Sequence, residues 1–136
     1  MDPAGLAAAV AALAGEVATA RFGVAVSGGP DSMALLDLAD RAFPGQVSAA
    51  TIDHGLRPQS AAEAAMVARF CAERAMPHLI LHPAEPCEGN VQSWARRQRY
   101  TLLEQWRTRA EIDWLLTAHH ADDQLETLLM RLNRGA

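Results

Sequence analysis

The sequence predicts an α/β domain, an open parallel sheet with helices on both faces. Short, almost wholly apolar runs alternate with longer stretches of helical periodicity, in the order α-β-α-β-α-β-α-β-α. The runs lack polar alternation, the pattern of strands buried on both faces. A chain of 136 residues has one domain's worth of core. It buries roughly two-thirds of its extended surface on folding.

Met1 to Ala20 reads as an amphipathic helix. Asp2 can cap it, Pro3 suits the first helical position, and Leu6, Val10, Leu13 and Val17 form one stripe. Phe22 to Val26 is the first strand, ending abruptly in Ser27-Gly28-Gly29-Pro30-Asp31-Ser32. Met33 to Arg41 is a helix, and Val47 to Ile52 is a second strand that stops at Asp53-His54-Gly55. Ser60-Ala61-Ala62-Glu63 is a capping box opening a helix to about Ala75. Leu79 to Leu81 is a third strand, and 83 to 89 a loop. Asn90 caps a long helix to about Arg109, which carries Trp94, Leu102, Leu103 and Trp106. Trp114 to Thr117 is a fourth strand. From Ala121 to Leu132 the pattern is helical again, with Leu125, Leu128, Leu129 and Leu132 on one face and Gly135 at the C-cap position.

Composition excludes several functions. Twelve basic residues against 16 acidic give a net charge of −4, so a polybasic face is not the source of any nucleic-acid affinity. Every basic residue is arginine. Without lysine there is no Walker-type phosphate loop, no Schiff-base lysine and no lysine general base. Cys71 and Cys87 form no C-x-x-C pair, which argues against a zinc ribbon or redox motif, and they are too few for an iron–sulfur cluster. Cys71 falls in an apolar helical stretch and is expected in the core. The N-terminus lacks a basic n-region and a long apolar run, so neither a signal peptide nor a membrane span is expected, and the location is cytoplasmic.

Ligands of open parallel sheets bind beyond the carboxyl ends of the strands. After the first strand, Gly28 and Gly29 allow the backbone close to an anion, Ser27 and Ser32 add hydroxyl donors, and the next helix offers its N-terminus. Asp31 would repel a phosphate unless a divalent cation bridged them, an arrangement that suits Mg²⁺. The same residues also serve as a plain strand-to-helix turn, with Asp31 or Ser32 as N-cap. After the second strand, Asp53-His54-Gly55-Leu56-Arg57 reads equally as a turn or a site. After the fourth, His119, His120, Asp122, Asp123 and Glu126 crowd a strand end and a first helical turn. Adjacent strand histidines point apart, so a magnesium carboxylate or a proton-transfer role fits better than zinc. On a helix beginning near Ala121, Asp123 would lean over the strand ends while Asp122 caps. Arg96 and Arg99 lie three apart on one helix face, suited either to a phosphate or RNA, or to solvent.

Taken together these motifs resemble a known family. Ser-Gly-Gly-x-Asp-Ser after a first strand is similar to the pyrophosphate loop (PP-loop) of the N-type ATP pyrophosphatases, adenine nucleotide alpha hydrolases of Rossmann-like fold. Asp53-His54-Gly55-Leu56-Arg57, Ala95-Arg96-x-x-Arg99-Tyr100, His119-His120-x-Asp122-Asp123-Gln124-x-Glu126-Thr127 and Arg131-Leu132-x-Arg134-Gly135 look, within that superfamily, like the tRNA(Ile)-lysidine synthetase family. The tRNA 2-thiocytidine synthetases share the His-His-x-Asp-Asp segment but rely on C-x-x-C pairs, which this chain lacks.

The resemblance implies ATP-dependent modification of the wobble cytidine of an isoleucine tRNA with anticodon CAU. C2 would be adenylated and free lysine would then displace AMP, changing codon reading from AUG to AUA. It implies ATP and Mg²⁺ as cofactors, no iron–sulfur cluster and no membrane partner. Ser27, Gly28, Gly29, Pro30, Asp31, Ser32, Asp53, His54 and Arg96 would bind nucleotide. Asp31 and Asp123 would hold the metal, and Asp31, Asp123, His119 and Arg99 would serve catalysis. Residues 1–136 would be an incomplete N-terminal PP-loop domain, with the tRNA-binding domains lying downstream. The alternatives are a related PP-loop tRNA-modifying enzyme, or an ATP-binding module without the full activity.

Overall fold

A computed structural model describes residues 2–121 and 124–131, with side chains through Ala118. The elements are α1 (Pro3–Ala14), β1 (Phe22–Ala25), α2 (Pro30–Ala42), β2 (Val47–Ile52), α3 (Gln59–Glu73), β3 (His78–Leu81), α4 (Val91–Ala110), β4 (Trp114–Ala121) and β5 (Gln124–Arg131). The sheet order is β3-β2-β1-β4-β5. The first four strands are mutually parallel, and β5 runs antiparallel to β4.

Side-chain alternation along the strands sorts the helices to the two faces. Phe22, Val24 and Val26 share a core with Leu6 and Val10 of α1, Leu35, Leu36 and Ala39 of α2, and Val67 and Cys71 of α3. Ala25, Ala50 and Leu115 point the other way, onto Leu103 and Trp106 of α4 and onto Ile112. Helices thus cover both faces, as expected. Burial pushes the Cys71 thiol up to about 11, as befits a core residue.

Gly23, in β1, faces Trp106 of α4 and Ile112. A Cβ there would lie 2.8 Å from both Ile112 Cδ1 and Trp106 Cη2. Gly23→Ala should therefore destabilise the chain by about 1–3 kcal/mol through overpacking. A denaturant midpoint within error of the parent would contradict this.

Four expectations need correction. The first helix stops at Ala14 rather than Ala20, because Gly15 turns the chain at φ 78°. Asp2 does cap it, accepting from Gly5 N at 2.7 Å. Helix α2 opens at Pro30, three residues before Met33, because proline suits the first helical position; the N-cap is Gly29, not Asp31 or Ser32. The capping box does not form. Pro58 is the N-cap of α3, Ser60 lies inside the first turn, and Glu63 pairs instead with Arg57 at 3.6 Å. Lastly, 124–131 is strand, not helix. An apolar Leu/Met run of this length satisfies either period, and here pairing along β4, from Trp114↔Arg131 to Ala121↔Gln124, covers an otherwise open sheet edge.

Candidate functional site

The strand order fixes where a site forms. From β1 the chain moves outward through β2 to β3, then returns by α4 to place β4 on the opposite side of β1. The chain leaves β1 toward β2 while β4 lies on the other side of β1, which places a switch point at the carboxyl ends of β1 and β4. A cleft of about 420 Å³ lies there, lined among others by Ser27, Ser32, His54, Arg57, Glu63 and Arg99. Ala118 of β4 forms part of its wall.

The loop after β1 is tied by its own hydroxyls. Ser27 N donates to Ser32 Oγ at 3.1 Å, the two hydroxyls lie 3.0 Å apart, and Ser32 Oγ donates to Gly29 O at 3.2 Å. Gly29 N donates to Ser27 Oγ at 3.3 Å. Gly28 adopts φ +89°, and a Cβ on it would lie 3.0 Å from Glu63 Cβ. Only glycine fits this turn without strain. Pro30 begins α2, and Asp31 is half-buried in its first turn, beside the positive end of the helix dipole.

The segment after β2 is also built. Asp53 Oδ1 accepts from Gly55 N at 2.9 Å, an Asx turn that lets Gly55 take φ +70°. Asp53 is thus committed to the turn, and His54 is the residue of the pair that lines the cleft. The His54 ring lies 5.8 Å from that of Trp94. His54 Nδ1 and Trp94 Nε1 are buried without a hydrogen-bond partner among the described residues. Burial, and then the Arg99 charge, lower the His54 pKa against an opposing pull from Asp53. Burial lowers that of His78, whose Nε2 lies 2.9 Å from Thr51 Oγ1. Both rings are held neutral, so the unfolded chain takes up protons first as pH falls. Stability is full above about pH 6.5 and declines below it. Melting temperatures recorded from about pH 8 to 5 should fall in that lower range, and less so in His54→Asn. An unchanged acid slope in that variant would contradict the assignment.

Arg99 lines the cleft, and burial lowers its pKa while the guanidinium stays charged. Arg96 does not line it, although both arginines are exposed and spacing puts them on one helix face. Trp94 and Gln98 are the residues of this stretch that bury, and of the two arginines α4 presents Arg99 to the cleft.

The backbone of His119 lies in β4 opposite Glu126. Its side chain, and all of Asp122 and Asp123, lie outside the described residues. Residues 124–131 form β5 rather than a helix, so helix geometry does not distinguish Asp123 from Asp122. Among the described residues no group of three or more His, Cys, Asp or Glu side chains could hold a metal by itself. Asp31 beside the loop is compatible with the one-carboxylate, phosphate-completed coordination that Mg²⁺ accepts.

Sequence reasoning missed Arg57, Ser60, Glu63 and Val91 as cleft-lining residues. The spacing of Ser60 and Glu63 is a local signal that fits a capping box equally well, and Arg57 belongs to the Asp53–Arg57 motif.

A family model of the PP-loop domain matches residues 5–136. The chain belongs to the PP-loop domain family. The loop Ser27–Ser32 lies within the matched residues, where the sheet topology opens the crevice. The tRNA(Ile)-lysidine synthase of Ruegeria pomeroyi is 54% identical over 120 residues, spanning 85% of this chain and 29% of that protein. The protein of the same name from Zymomonas mobilis is 48% identical over 118 residues, spanning 85% of this chain and 35% of its own length. This chain therefore spans about a third of the length of these curated relatives. Among solved structures, the U34-tRNA thiolase NcsA from Methanococcus maripaludis, with its [4Fe-4S] cluster, superposes with a TM-score of 0.64 at 19% identity, covering 77% of this chain and 40% of that one. The NH3-dependent NAD synthetase from Campylobacter jejuni matches with a TM-score of 0.64 at 17% identity, covering 85% of this chain and 53% of that one. These two likenesses show the fold alone. No helix among the described residues is long and apolar enough to cross a membrane.

Proposed function

We propose that this chain is the N-terminal, nucleotide-binding part of a cytoplasmic tRNA(Ile)-lysidine synthetase. The observation that carries the reading is the serine-tied, lysine-free loop 27–32 at the switch point of the sheet, in a chain whose long, similar relatives bear that name. ATP occupies the cleft, with its adenine near Ile52 to His54 and its phosphates at Ser27 to Ser32.

The C2 oxygen of the wobble cytidine, in a tRNA with anticodon CAU, attacks the α-phosphate and pyrophosphate leaves. The amine of free lysine then displaces AMP at C2. The chain's own contribution is preorganisation. Ser27, Ser32 and the α2 N-terminus face the charge that builds on the departing pyrophosphate. Arg99 supplies a fixed positive charge across the cleft. Asp31 and Asp123 would hold Mg²⁺, which would supply neutralisation of phosphate charge. His119 or an acidic neighbour takes the proton that the lysine ammonium must lose before it can attack.

The test is pyrophosphate release from ATP by the full-length protein, with and without the CAU-anticodon tRNA and lysine. Release that requires this tRNA supports the reading. ATP binding with no tRNA-dependent release would instead favour a nucleotide-binding module.

A further inference from the structure

The geometry points to Arg57 as the cation that receives the β- and γ-phosphates of a nucleoside triphosphate, with Glu63 as its positioning residue; this rests on the reading of the cleft as an ATP site. Neither residue has a role in the reading above.

Three observations carry the inference. The first is placement. Helix α3 packs directly on the loop, since a Cβ on Gly28 would lie 3.0 Å from Glu63 Cβ and 3.6 Å from Glu63 Cγ. Glu63 Oε2 lies 3.6 Å from Arg57 Nη2, so the residue whose stem abuts the loop also pairs with the guanidinium. Both side chains line the same cleft as Ser27 and Ser32. The rigid turn at Asp53 and Gly55 delivers Arg57 to this point from the end of β2.

The second is charge. Asp31 and Glu63 are both carboxylates close to the loop, and the chain contains no lysine. A polyphosphate placed there gathers further negative charge. Among the described residues lining the cleft, the arginines are Arg57 and Arg99. Arg99 acts on His54, at the end of the cleft assigned to the base. Arg57 is the cation on the loop side.

The third is exchangeability. The Arg57–Glu63 pair is long and largely exposed at the arginine, with side-chain exposures of 65% and 35%. Such a pair holds a side chain in place without locking it. A phosphate offers the guanidinium a bidentate, charge-assisted contact, which is the stronger of the two. Glu63 thus keeps Arg57 at the loop in the free protein and yields it to the ligand.

The experiment is calorimetric titration of the full chain with ATP·Mg²⁺ and, separately, with AMP. The variants are Arg57→Ala, Arg57→Lys, Glu63→Gln and the Arg57→Ala/Glu63→Gln pair. Arg57→Ala should weaken ATP about tenfold or more while changing AMP less than about twofold. Arg57→Lys should recover part of the loss. Glu63→Gln should weaken ATP modestly, and should have no further effect once Arg57 is alanine, because it acts through that arginine. Equal losses for ATP and AMP, unchanged ATP affinity in Arg57→Ala, or additive losses in the double variant would each overturn the inference while leaving the cleft an ATP site. Failure of the parent chain to bind ATP would overturn the site reading as well, and is seen before any variant is made.

Discussion

Gly28→Val is expected to remove ATP binding while leaving a folded chain. The residue sits at φ +89°, where β-branched side chains are strained by about 1–3 kcal/mol. Its first added carbon would meet Glu63 Cβ at 3.0 Å, backed by the Glu63 main chain at 3.6 Å. The loop must therefore shift away from α3. That shift opens the Ser27–Ser32 hydroxyl contact of 3.0 Å, which holds both donors in place. The expected loss of ATP affinity is roughly a hundredfold, about 2.8 kcal/mol. Titration measures it, and a melting curve that stays cooperative shows that the rest of the sheet is intact. Full affinity in this variant would mean that the loop is a plain turn.

Trp106→Ala should produce the largest loss of stability. Trp106 is 3% exposed and, with Leu103, anchors α4 to Ala25, Ala50 and Leu115. Among the described residues α4 is the one helix on that face of the sheet. Deleting a buried tryptophan costs about 3–5 kcal/mol, against a total of about 5–15 kcal/mol for an ordinary domain. The melting temperature should fall by roughly 10–20 °C. ATP affinity should fall with it, because Arg99 rides two turns earlier on the same helix. Trp106→Phe should recover most of both. A loss under about 1 kcal/mol would contradict the packing described for this face.

The order of the first eight elements was legible in the sequence because local signals and burial agree there. Phe22 to Val26 is apolar on both sides, and Asn90 caps α4 by accepting from Ser93 N at 3.0 Å, whereas the boundaries set by Gly15 and Pro30 differ from those expected. The ninth element was not legible. Leu125, Leu128 and Leu129 fit a helical stripe, and only a partner strand beyond the sequence window decides for the extended form. The loop 27–32 was readable because its glycines and serines fall within six successive positions. The rest of the cleft wall was not, because Glu63 reaches Gly28 across 35 positions, a contact that no local pattern records. Arg96 and Arg99 show the same limit: spacing gives their separation on the helix, while the burial of Trp94 and Gln98 decides which of them faces the cleft.

Amide chemical shifts of the isotope-labelled chain, followed during titration with ATP·Mg²⁺ and then with adenosine, test the central claim most directly. The account predicts that ATP moves the amides of Ser27, Gly28, Gly29 and Ser32 most, that adenosine moves those near Ile52 to His54, and that Gly28→Val suppresses the first set. Shifts that instead gather at the opposite end of the sheet, around Arg21, Glu111 and Asp113, would contradict it.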